Sequence, residues 1–152
     1  MLYNYQTVIR RIVDGDTLEV DIDLGFDMWI HKARVRLIGI DCPEVRTTDP
    51  IEKIFGQLAT QYVEGLMPIG SSRVLRSFKY QRDSFARIVG DFNLPSSVST
   101  LTESLRRAHH AVVWDPRNRE LMAEEHLANR QKLIESGQVP ADVIDHIQSL
   151  TD

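Results

Sequence analysis

The chain has 152 residues, 42% hydrophobic and 26% charged, which is the makeup of one ordinary globular domain rather than of a disordered or fibrous chain. No apolar run approaches the ~20 residues that a membrane-spanning helix needs. Residues 1–13 lack the basic, apolar and small-residue succession of a secretory signal, so an intracellular, cytoplasmic protein is expected. A lone Cys42 excludes an intramolecular disulfide and a cysteine zinc cluster.

The net charge of −4 argues against a phosphate-binding partner only if it is spread evenly. It is not. Residues 71–90 carry Arg73, Arg76, Lys79, Arg82 and Arg87 against Asp83 alone, whereas residues 115–152 hold eight acids and four bases. A basic strand surface in water would look the same, so asymmetry by itself decides nothing.

In chain order, residues 7–13 are rich in β-branched side chains and lead through Asp14-Gly15, a hairpin turn signal, into a second strand. There Leu18, Val20, Ile22 and Leu24 alternate with Glu19, Asp21 and Asp23, the period of a half-buried strand, and Asp16 falls on the apolar side. Residues 27–32 are expected to turn, with His31 in the turn, and residues 33–40 to form a central strand interrupted by Arg34 and Arg36. Apolar residues from Ile54 to Leu66 recur at helical spacing, with Asp49-Pro50 as the expected cap and first turn. Residues 72–78 and 85–92 read as two further strands. Helices follow over 98–110, over 116–135 behind an Asp115 cap, and over 141–150. Five strands with a helix after the third predict a small closed barrel, an α+β chain that is mainly β.

Three groups of residues carry chemistry: Asp14-Gly15-Asp16-Thr17, Arg36-Leu37-Ile38-Gly39-Ile40-Asp41-Cys42-Pro43-Glu44, and Asp83-Ser84-Phe85-Ala86-Arg87. Each has a plain structural explanation when taken singly. Together they place Asp16 and Asp41 at the ends of buried strands, where a carboxylate is costly without a cation or a donor. Two such carboxylates make a hard oxygen site suited to Ca²⁺ or Mg²⁺ and unsuited to zinc. Arginine forks that hold a phosphate and a glutamate that takes a proton from water complete the parts of phosphodiester cleavage.

In order along the chain, DGDT, R-L-x-G-I-D-x-P-E and D-x-x-x-R resemble the staphylococcal nuclease (thermonuclease, micrococcal nuclease) family over roughly residues 7–135. The resemblance implies an OB-fold five-stranded β-barrel with three helices and a Ca²⁺-dependent endonuclease that leaves 3′-phosphates on DNA and RNA. The whole chain would be one such domain, acting as a monomer, with 137–152 as a C-terminal extension that docks on its own domain. The resemblance further implies Asp16 and Asp41 as calcium ligands, with the backbone carbonyl of Cys42 beside them. Glu44 takes the place of the general base, and Arg36 and Arg87 those of the phosphate-binding arginines. Asp83, Phe85 and Trp114 fall at substrate-binding positions, where Phe85 lacks a hydroxyl that is common in the family and Ala86 replaces a glycine. Trp114 has an equal reading as a core tryptophan. The loop over 46–53 is less basic than is usual, which implies weaker and more salt-sensitive binding. Of the histidines, His109 and His110 are expected to suit a helix C-terminus as cations, and no role is assigned to His126. The alternatives are a barrel that binds nucleic acid or protein without turnover and a calcium-stabilised structural domain.

Overall fold

The computed structural model describes residues 2–82, 87–95 and 98–152. Five strands close into a barrel in the order β1-β2-β3-β6-β5: β1 (Leu2–Asp14), β2 (Thr17–Gly25), β3 (Met28–Leu37), β5 (Ser72–Arg82) and β6 (Ile88–Phe92). Every neighbouring pair is antiparallel except β3 and β6, which run parallel from Val35↔Ile88 to Leu37↔Gly90. The expected mainly β barrel is therefore present. A second ladder pairs two short strands, β4 (Ile40–Asp41) with β7 (Val112–Val113), in the register Ile40↔Val113 and Asp41↔Val112. Two-residue strands leave no periodicity to read, so the sequence did not announce this ribbon.

The alternating face of β2 fills the barrel as expected at Leu18, Val20 and Ile22, all at most 2% exposed. Each such burial contributes about 1.5–3 kcal/mol. The pattern fails at two positions. Leu24 is 40% exposed near the hairpin end, and Asp21, expected to face water, is 4% exposed. Asp21 keeps the outward side, between inward Val20 and Ile22, and is covered there by Arg10, His31 and the Lys32 amide, where β3 carries an extra residue between Ala33 and Ile30. The β2–β3 turn is only Phe26-Asp27, both in the left-handed region at φ 55° and 61°, so residues 28–32 belong to β3 and His31 is a strand residue rather than a turn residue.

Helix α1 (Pro50–Leu66) is capped by Asp49, whose Oδ1 accepts from the Ile51 and Glu52 amides. Its Val63 joins the barrel core, while Phe55 forms a second cluster with Leu133 and Val139. Helix α2 (Leu101–Arg107) starts at Thr100 through a reciprocal capping box with Glu103, later and shorter than expected. Helix α3 (Arg119–Glu135) is capped by Asn118 and not by Asp115, since Asn118 Oδ1 accepts from the Leu121 amide at 3.1 Å. Helix α4 (Ala141–Thr151) lays Val143, Ile144 and Ile147 on the Phe55 cluster, so the C-terminal extension docks on its own domain. His110 is not a cation at a helix end: it is buried beside Tyr62, and burial and His109 push its pKa down to about 4. Among the described residues no helix is long and apolar enough to cross a membrane.

Candidate active site

Asp14, Asp16, Arg36, Asp41, Glu44, Arg87 and Trp114 line one cleft of about 450 Å³ at the mouth of the barrel. Local chain geometry brings them there. The end of β1 carries Asp14, the β1–β2 turn carries Asp16, the end of β3 carries Arg36, and β4 carries Asp41. Glu44 rides on the loop between β4 and α1. That loop is held by the Val45 amide, which donates to Asp14 Oδ1 at 3.0 Å, and by Thr47, whose hydroxyl donates to Glu52 Oε2 at 3.0 Å. Gly56 of α1 lets the loop lie against the helix, because a Cβ there would stand 2.5 Å from the Glu44 carbonyl oxygen.

Asp16 is 7% exposed. It accepts from the Cys42 amide at 2.8 Å and from the Thr17 hydroxyl at 3.1 Å. Arg36 lies between the two aspartates, 3.2 Å from Asp16 Oδ2 and 3.5 Å from Asp41 Oδ1. Burial nonetheless raises the Asp16 pKa: it outweighs Arg36 and the Cys42 amide, and the Asp41 charge adds to it. Burial likewise raises Glu44, helped by the charges of Glu52, Asp14, Asp16 and Asp41. Cys42 is 2% exposed, and burial with the Asp16 and Asp41 charges pushes its thiol well above the ordinary range. A neutral buried thiol is no ligand for a hard cation, which leaves only the backbone carbonyl of this residue for such a role.

Trp114 is 46% exposed, its ring centroid 5.9 Å from the Arg36 guanidinium carbon, and so it borders the cleft rather than the core. Asp83 and Phe85 lie outside the described residues. The basic segment is divided in its use: Arg87 reaches the cleft, whereas Arg73 donates to the Leu66 carbonyl at the end of α1 at 3.0 Å. One residue went unread in the sequence. His126 of α3 places Nε2 2.9 Å from Asp41 Oδ2.

Among the described residues, no three carboxylate, imidazole or thiol groups gather into a metal cage. The donors at hand are the hard oxygens of Asp16 and Asp41, within a cleft whose neighbouring carboxylates help burial to raise the pKa of Asp16 and Glu44. That excess of like charge fits an oxygen-preferring divalent cation completed by water and backbone carbonyls.

Residues 34–135 match the family described as staphylococcal nuclease homologue. The chain belongs to this nuclease family. Arg36, Asp41, Glu44, Arg87 and Trp114 lie inside the matched span, and Asp16 precedes it. The chain is also 22% identical over 123 residues to Endonuclease YhcR of Bacillus subtilis (strain 168), an alignment that takes in 76% of this chain and 10% of that protein. The chain thus corresponds to about a tenth of that relative.

Proposed function

We propose that the protein is a Ca²⁺-dependent endonuclease that hydrolyses phosphodiester bonds of DNA and RNA and leaves 3′-phosphates. The observation that carries this reading is that Asp16, Arg36, Asp41, Glu44 and Arg87 all line one cleft. Asp16 and Asp41, with the Cys42 carbonyl, would hold the cation. When bound, Ca²⁺ supplies Lewis-acid polarisation of a phosphoryl oxygen. Arg36 and Arg87 hold the non-bridging oxygens and stabilise the added charge of the transition state. Glu44 accepts the proton of the attacking water, and its raised pKa makes it a better base near neutral pH. The water oxygen bonds to phosphorus as the P–O5′ bond breaks, and the departing 5′ oxygen takes up a proton, with Arg87 beside it. Trp114 offers a face on which a base stacks.

The test is digestion of single-stranded DNA, double-stranded DNA and RNA with Ca²⁺, with Mg²⁺ and with chelator, beside Glu44→Gln. Calcium-dependent cleavage that Glu44→Gln lowers by about 10²–10⁴-fold is the expected result. Folded protein that binds nucleic acid and cleaves none of it under any condition would instead identify a binding module.

A further inference from the structure

The inward face of α3 carries Met122, His126, Asn129 and Leu133, at i, i+4, i+7 and i+11. This is the spacing of one helical stripe, which ordinarily is apolar throughout. Its two ends are buried apolar residues, at 8% and 3% exposure. The two middle positions are hydrogen-bonding groups aimed at the β4–β7 ribbon and its approach. Asn129 donates to the Ala111 carbonyl at 3.3 Å, and His126 Nε2 meets Asp41 Oδ2 at 2.9 Å across 85 residues of sequence. An ionised carboxylate only accepts, so Nε2 is the donor.

Asp41 sits in a two-residue strand, and its carboxylate is less buried than that of Asp16, with side chains 26% and 10% exposed. Such a side chain is free to change rotamer unless something holds it. Arg36 reaches Oδ1 only at 3.5 Å and is shared with Asp16. His126 is the short contact, and it takes the opposite oxygen. Leu133, Met122 and Asn129 already fix α3 in place, so the imidazole is not needed to seat the helix.

We infer that His126 is a positioning residue for the cation site: it donates to Oδ2 of Asp41 and so keeps Oδ1 directed into the cleft. This inference rests on the proposed role of Asp41 as a cation ligand. Partners that orient a ligating carboxylate are typically worth about 10–100-fold in metal affinity.

The test compares His126→Leu, His126→Asn and His126→Gln, with Ca²⁺ affinity measured by calorimetry and the thermal midpoint recorded in chelator. Glutamine carries an amide nitrogen near the place of Nε2, whereas asparagine stops one methylene short. Leucine and asparagine should each weaken Ca²⁺ binding by about 10–100-fold, and the calcium needed for half-maximal cleavage should rise by the same factor. Glutamine should stay within a few-fold of wild type. If the leucine variant does not fold, the Asn–Gln contrast still decides. Equal Ca²⁺ affinity in wild type and the asparagine variant, or glutamine as defective as asparagine, would overturn the inference while leaving the calcium site standing. Wild-type protein that binds no Ca²⁺ would bring down the proposed cation site and this inference with it.

Discussion

Asp16 and Asp21 stand five residues apart, at the head and in the middle of the same strand, and both are almost fully buried, at 7% and 4% exposure. Each has three polar partners. Asp21 takes Arg10 Nε at 2.6 Å, the Lys32 amide at 3.0 Å and His31 Nδ1 at 3.3 Å; Asp16 takes the Cys42 amide, the Thr17 hydroxyl and Arg36. Yet their pKa values move in opposite directions. At Asp21 the burial penalty is outweighed by the Lys32 amide, Arg10 and His31, and the carboxyl is held below its usual value. At Asp16 burial prevails over Arg36 and the Cys42 amide, with Asp41 pushing the same way, and the carboxyl is raised.

The difference lies in depth of burial and in company rather than in the number of partners. The two side chains that meet Asp21, Arg10 and His31, stand largely in water, at 50% and 69% exposure. Arg36 is 16% exposed and divides its charge between two aspartates. The strand carboxylate of Asp21 is thus compensated, and the cleft carboxylate of Asp16 is left short of positive charge. Deep burial together with incomplete compensation distinguishes Asp16 from Asp21.

Substitutions at the two aspartates should therefore diverge. The largest effect is expected from Asp16→Asn, which should lower the cleavage rate by on the order of 10³-fold, about 4 kcal/mol of transition-state stabilisation. Initial rates at a Ca²⁺ concentration that saturates wild type measure it. A comparable rate loss from Asp21→Asn in folded protein would break the distinction.

Acid stability sharpens the comparison once His110 is accounted for. Its folded pKa of about 4 lies below the ordinary 6.5, so the unfolded chain binds the proton first. Stability should fall by roughly 3 kcal/mol as pH drops from 6.5 towards 4. His110→Phe should flatten denaturant-unfolding curves over that window. Asp21 acts at lower pH. Its folded pKa is below 3.8, so its contribution is fully present above 3.8 and is lost as pH falls from there through the lower folded value. Asp21→Asn should cost about 2 kcal/mol at neutral pH, and the gap to wild type should close in strong acid. The smallest effect is expected at the cleft border: Trp114→Ala should weaken single-strand binding by about 1 kcal/mol, read by anisotropy of a labelled oligonucleotide.

The sequence was legible where a repeating pattern or a motif spoke. Alternation marked the β2 core residues, helical spacing with Asp49-Pro50 marked α1, and the motif residues Asp16, Arg36, Asp41, Glu44 and Arg87 do share a cleft. What escaped was decided by tertiary contact. Asp21 reads as solvent-facing, and only the fold shows Arg10, His31 and the Lys32 amide closing over it, while the β4–β7 ribbon is too short to show a period. Trp114 reads equally as core or rim until its exposure is known. His126 left one faint signal, a polar residue on the stripe between Met122 and Leu133, but only the fold reveals that the stripe faces Asp41.

The most direct test of the contrast between the two aspartates is the thermal unfolding midpoint of wild type, Asp16→Asn and Asp21→Asn, in chelator and through a Ca²⁺ titration. Asp16→Asn should be more stable than wild type in chelator, by about 1 kcal/mol, and should not respond to Ca²⁺. Wild type and Asp21→Asn should each gain about 2.7 kcal/mol at a hundredfold excess over the dissociation constant. An Asp16→Asn protein that is less stable than wild type in chelator, or that calcium still stabilises, would contradict the account.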